Sequence, residues 1–193
     1  EKLLNEFSQI SNIKSCCNQG NEKNLDLVKK HFPSVQQTSN YETILNDSSI
    51  KAVVIATPIE THYQLAKAAL KSKKHVFVEK PLSISFEQLS MIDSMINKQL
   101  SLNNVAPLLM VGFNRRFAPH IVKMKELIKA KRESKSIIMT VNAGAIPVDH
   151  WTQSPEVGGG RIIGEGCHFI DLARFLIGTP ITSHHAVMMG DAP

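Results

Sequence analysis

The sequence predicts an α/β fold: a Rossmann-type parallel sheet followed by part of an α+β domain with an open mixed sheet. Three observations carry that reading. Short apolar runs alternate with segments of helical periodicity over the first two-thirds of the chain. One of those runs, residues 52–56 (AVVIA), is apolar without a break, as a strand buried on both faces of a parallel sheet would be. Residues suited to ligand binding follow the strand-like runs, and open parallel sheets bind ligands at their carboxyl ends. Alternation of this kind implies right-handed βαβ units.

Taken in order, residues 10–17 read as a strand and residues 24–32 as a helix, with Leu25, Val28 and Phe32 on one side. After AVVIA, Thr61 is placed to cap a helix whose buried stripe is Leu65, Ala66, Ala69 and Leu70. His75–Val78 is the next strand. Ser85 and Gln88 have the spacing of a capping box, and Leu89, Ile92 and Ile96 continue that helix's apolar face. Residues 108–113 form a further buried strand. Beyond Pro119 the pattern changes. A basic amphipathic helix buries Ile121, Met124, Leu127 and Ile128, and a strand over 136–143 leads into a Gly- and Pro-rich loop, 144–160. A helix over 164–176 and a strand over 181–189 follow. The boundary near Phe117–Pro119 divides the chain into a dinucleotide-binding part, 1–117, and a substrate and oligomerisation part, 118–193.

Composition excludes several classes. The 193 residues are 42 % hydrophobic and 20 % charged, too apolar for a disordered chain. The longest apolar run, 106–113, falls far short of the roughly 20 residues a membrane helix needs. Most of the net charge of +5 lies between Lys123 and Lys135. These cations alternate with an apolar helical stripe and with no interleaved aromatics, so they read as a solvated face and not as a nucleic-acid site. Cys16 and Cys17 are adjacent and Cys167 is distant, a spacing that suits neither zinc nor a disulfide. Reduced thiols in a cytoplasmic protein follow.

Chemistry-bearing residues gather at three places. After AVVIA come Thr57 and Pro58, then Glu60, Thr61 and His62 at a helix start whose amide groups suit an anionic cofactor. After His75–Val78 come Glu79, Lys80 and Pro81. Lys80 is either a surface lysine or, at the mouth of the sheet, an electrophile or proton donor. In the third place, GGGRIIGEGCHFID (158–171), glycines lead into a helix on which Glu165, His168 and Asp171 stand at i, i+3 and i+6. His168 is either a neutral-pH acid/base with a carboxylate beside it or a helix-lining histidine with ordinary partners. His184 and His185 read as structural, and half of a Glu-x-x-His di-iron pattern without a second copy predicts no metal.

Together, VVIATPIETHYQLAKAALKSKKHVFVEKPLS (53–83), VGFNRRF (111–117) and GGGRIIGEGCHFIDLARFLIG (158–178) resemble the Gfo/Idh/MocA family, the glucose–fructose oxidoreductases, inositol dehydrogenases and their relatives. NAGAIPVDHW (142–151) looks like a subgroup in which this module follows a zinc-type alcohol dehydrogenase-like region. The resemblance implies a Rossmann domain binding NAD or NADP, a C-terminal α/β domain, and hydride transfer to or from a sugar, nucleotide sugar or cyclitol by a homo-oligomeric enzyme. It implies that Thr57, Pro58, His62, Glu79, Lys80 and Arg115 bind the cofactor. Arg116, Asp149, Trp151 and His168 would meet the substrate, with Asp149, His150 and Trp151 on a bordering loop. Lys80, His168 and Glu165 would be catalytic.

Three departures qualify it. No G-x-G-x-x-G is present; the first strand and glycine loop would lie upstream of Glu1, so the chain reads as a piece of both domains that would not bind NAD(P) alone. Many members carry Asp four residues before the histidine, where this chain has Gly164, leaving Glu165 or Lys80 alone as the base. The strand of residues 10–17 runs into Asn18 and Gln19, with no acid for a ribose hydroxyl, which keeps NADP open. A non-catalytic dinucleotide-binding sensor is the alternative function, kept open by Gly164.

Overall fold

The chain is described by a computed structural model over residues 2–18, 22–103, 105–130 and 133–187. Gln19, Lys131, Arg132 and the end of the strand expected over 181–189 lie outside the described residues. Helix α1 (Lys2–Ser8) precedes β1 (Ser15–Cys17), α2 (Glu22–His31), β2 (Gln36–Thr38), α3 (Tyr41–Asn46) and β3 (Ala52–Ile55). Then come α4 (Ile59–Lys71), β4 (His75–Val78), α5 (Phe86–Asn103) and β5 (Leu109–Val111). A 3-10 turn, Asn114–Phe117, leads to α6 (Pro119–Lys129), and a π-helical turn, Ile162–Gly166, leads into α7 (Cys167–Ile177).

The strands form two parallel sheets, β1 with β2 and β3-β4-β5. In the second, Ile55 lies opposite Val78 and Val78 opposite Val111, so the three strands end level. The ladder runs one residue further, with Glu79 N–H donating to Ile55 O (2.9 Å) and Gly112 N–H to Val78 O (2.8 Å). Everything that follows β3, β4 and β5 therefore emerges along one edge of the sheet.

That edge is held by a core of Ile55, Val76 and Val78 from the strands, Tyr63, Ala66, Ala69 and Leu70 from α4, and Ile92 from α5. Ala66 and Ala69 are fully covered, and their small side chains let α4 lie close on β4. The AVVIA run is not buried on both faces. Ile55 points into the core while Val54 is 42 % exposed, because only the α4 side of β3 is packed. On the opposite face of β4, Phe7 of α1 meets Phe77 edge-on, with ring centres 5.3 Å apart. Buried Lys74 donates to Asp47 O (2.6 Å) and Ile50 O (2.8 Å), tying the turn before β3 to the start of β4. Lys14 reaches Asp47 from the segment before β1 (2.7 Å) and so bridges the two sheets.

Other local expectations need correction. Thr61 is not the cap of α4: Pro58 is, and the Thr61 hydroxyl donates to Pro58 O (2.7 Å) from inside the first turn. The capping box at Ser85 and Gln88 is open, since Gln88 N–H donates to Ser85 Oγ (3.4 Å) but its side chain pairs with Ser83. On α6, Met124 and Leu127 are exposed instead of buried. Residues 136–143 and 181–187 form no strands; without a ladder partner among the described residues their backbones stay open and their side chains exposed. The expected open mixed sheet is thus not formed by the described part of 118–193. Helix α7 ends in Gly178 at φ 88°, and Lys125 of α6 donates to Phe175 O (2.6 Å) and Leu176 O (3.0 Å) at that end. The Cys16, Cys17 and Cys167 thiols are free, and burial raises all three above the ordinary cysteine value.

Candidate active site

Lys80 stands two residues beyond β4, its side chain only 16 % exposed. The ammonium donates to the Gly164 carbonyl oxygen (2.7 Å) and to Glu165 Oε1 (3.2 Å). Both acceptors belong to the π-helical turn, a feature frequent at functional sites. The strand end and the turn into α7, 84 residues apart in sequence, are therefore joined at one charge. Gly164 has to be glycine: a Cβ there would lie 2.8 Å from the carbonyl oxygen of Gly158. An acid at 164 does not fit this backbone, and the carboxylate on Lys80 comes from the next residue instead. Gly158 is equally constrained, since its Cβ would meet the Thr152 backbone at 2.6 Å.

His168, one turn along, is 6 % exposed, and its Nδ1 is buried without a hydrogen-bond partner among the described groups. Its ring meets Phe113, just past β5, edge-on at 6.3 Å. Burial pulls its pKa below the usual histidine value, the charges of Lys80 and Arg115 pull the same way, and Glu165 and Asp171 oppose them. These effects together favour the neutral ring at neutral pH.

Other nominated residues separate into those at this junction and those away from it. Thr57 and Pro58 are exposed at the start of α4, where Thr57 Oγ1 lies 2.6 Å from Thr61 Oγ1. Glu79 sits beside Gly112, whose Cβ would come within 3.2 Å of Glu79 Oε2. Arg115 lies over the Phe169 ring at 4.7 Å. His62 does not reach the ligand side: it is 1 % exposed, with Nδ1 2.8 Å from Pro81 O and Nε2 2.8 Å from Thr57 O. It fastens the two loops that carry Thr57 and Lys80 to each other. Arg116 is likewise engaged internally, its Nε donating to Asp171 Oδ2 (2.6 Å) and its Nη2 to Asp171 Oδ1. Asp149, His150 and Trp151 are exposed on their loop, with the His150 and Trp151 rings 5.7 Å apart.

Sequence reasoning missed Arg161 and Phe169. With Glu165 and residues 141–145 they line an open groove of about 560 Å³, across which Arg161 donates to Gly144 O (3.3 Å). The signal was Arg161 directly after the three glycines. Glu165 thus faces Lys80 on one side and this groove on the other.

Chemically, the junction offers a hydrogen-bond-donating cation, a neutral imidazole and a carboxylate where parallel strands end, an arrangement suited to polarising a hydroxyl and moving its proton. Comparison with known proteins agrees with the fold beneath it. Residues 2–105 match the Gfo/Idh/MocA oxidoreductase family, NAD-binding Rossmann fold. Over 143 residues the chain is 34 % identical to the scyllo-inositol 2-dehydrogenase (NAD(+)) of Bacillus subtilis, covering 72 % of this chain and 39 % of that protein. It is 30 % identical over 141 residues to the myo-inositol 2-dehydrogenase of Thermotoga maritima, covering 72 % and 39 %. Among solved structures, a levoglucosan dehydrogenase complexed with NADH and levoglucosan superposes with a TM-score of 0.68 at 25 % identity, covering 86 % of this chain and 45 % of that one. The chain spans about two-fifths of the length of the curated relatives it matches. It belongs to the Gfo/Idh/MocA family of oxidoreductases with an NAD-binding Rossmann fold.

Proposed function

We propose that the protein carrying this chain transfers a hydride between NAD or NADP and a hydroxyl-bearing carbon of a sugar, nucleotide sugar or cyclitol. The observation that carries the reading is the Lys80 ammonium, held at the end of β4 by Gly164 O and Glu165, next to a buried neutral His168 with an unpartnered Nδ1. The inositol and levoglucosan dehydrogenases among its relatives support the substrate class.

The residues fit a nicotinamide cofactor. Thr57 and Pro58 open α4, Glu79 and Lys80 end β4, and Arg115 follows β5, all along one sheet edge. Gly112 lets the Phe77 and Glu79 side chains pack against the end of β5, and His168 Nδ1 is an unused polar atom beside it. When bound, the nicotinamide accepts or supplies the hydride. In the oxidation direction Lys80 donates a hydrogen bond to the reacting oxygen and favours its developing negative charge. His168 takes the hydroxyl proton on a ring nitrogen, and in reduction it returns it. Glu165 holds Lys80 in place, the task an acid at 164 cannot perform here. Residues 1–117 would carry the cofactor and 118–193 the substrate side, with Asp149 and Trp151 bordering the pocket and homo-oligomers forming through the latter part. A cytoplasmic location would keep the three thiols reduced.

The test is absorbance of the reduced cofactor with the whole polypeptide and a panel of inositols, sugars and nucleotide sugars. The expected result is turnover of at least one, falling by about 100-fold or more in His168→Ala. Cofactor binding with no turnover across the panel would favour the non-catalytic sensor that Gly164 kept open.

A further inference from the structure

Arg116 looks like a ligand-facing cation in the sequence, yet its guanidinium is already spent. Nε and Nη2 grip both oxygens of Asp171, the two-pronged geometry in which arginine pairs most strongly with a carboxylate. The Asp171 side chain is 9 % exposed and the Arg116 side chain 35 %, so the carboxylate is sheltered while the guanidinium stays partly wetted. The guanidinium also lies over the Phe175 ring at 5.5 Å, and its neighbour Arg115 lies over Phe169 at 4.7 Å. The turn after β5 therefore grips α7 through Phe169 on one side and through Asp171 and Phe175 on the other, the side that carries His168.

We propose that Arg116 and Asp171 form a positioning pair, which fixes α7 to the end of β5 and offsets part of the Asp171 charge one helical turn from His168. This rests on the reading of His168 as the proton-transfer residue. The charged groups acting on His168 come from every element around it. Lys80 lies on the loop after β4, Arg115 on the turn after β5, and Glu165 and Asp171 on the π-turn and α7, with Arg116 paired to Asp171 and the Cys167 thiol adjacent in sequence. Only Asp171 among them has its charge matched by a bidentate partner. Removing Arg116 leaves a sheltered carboxylate uncompensated, and removing Asp171 leaves a cation in its place. The two deletions push the imidazole in opposite directions, whereas loss of mere scaffolding would push it in one.

The experiment follows the His168 ring protons by NMR through a pH titration of the whole polypeptide, assigned with His168→Asn, for wild type, Arg116→Met, Asp171→Asn and the double variant. The expected result is a higher His168 midpoint in Arg116→Met, a lower one in Asp171→Asn, and a double variant close to wild type. In an active protein, the acid limb of kcat/KM moves the same way. Shifts of the same sign in both single variants, or none, would overturn the pair's role. Near-UV circular dichroism checks folding, and if Arg116→Met does not fold, the Asp171→Asn shift and its reversal in the double variant decide. The titration needs no substrate, so a protein that turns over nothing on the panel refutes the proposed reaction while the titration still judges the pair.

Discussion

The sheet β3-β4-β5 with α4 and α5 differs sharply from the segment beyond Pro119. In the first, ladder bonds run past the strand ends, and eight residues on strands and helices form the buried core. In the second, α6 and α7 pack on each other, but residues 136–143 and 181–187 lie open, with Ile138 94 % exposed. The candidate site draws on both, Lys80 from the packed sheet and Glu165 and His168 from the loosely supported segment. Rigid strand ends deliver the cation, and a few specific contacts deliver its partners: Lys80 to Gly164 O, Arg116 to Asp171 and Lys125 to the end of α7. Stability and site geometry should therefore respond to different substitutions.

Leu70 and Ile138 give the widest contrast. Leu70 is fully buried in the core, and Leu70→Ala should cost about 2–5 kcal/mol in urea unfolding. Ile138→Ser should change the same measurement by no more than about 0.5 kcal/mol. Comparable losses at the two positions would mean that 136–143 is as well packed as the sheet. Between these limits stands Gly164→Ala, which puts a Cβ within 2.8 Å of Gly158 O. It should lower stability by about 1–3 kcal/mol and also disturb the acceptors of Lys80, so kcat falls with it. A fully active Gly164→Ala protein would show that the π-turn does not set the position of Lys80.

The same contrast explains what could be read from the sequence. The strand 75–78, the strand within AVVIA and the stripe on α4 were legible because apolar runs and helical spacing mark the elements, although the AVVIA run did not reveal that only one face of β3 is packed. Residues 136–143 have the same look, but apolar character cannot say whether a partner strand lies alongside. Lys80, Glu165 and His168 could be nominated from motif position, and the structure brings Glu165 into contact with Lys80. The internal partners of Arg116 and His62 were not legible because they are remote or main-chain: Asp171 lies 55 residues away, and the oxygens of Thr57 and Pro81 leave no trace in side-chain pattern. Arg161 went unnoticed because its role depends on a groove formed with residues 141–145.

The most direct test of the account is Lys80→Met in the whole polypeptide, which keeps the aliphatic stem and removes the charge. Unfolding midpoint and binding of the reduced cofactor are measured beside turnover of the best substrate on the panel. The account predicts a folded, cofactor-binding protein whose kcat falls by about 100-fold or more. Undiminished turnover in that variant would contradict it.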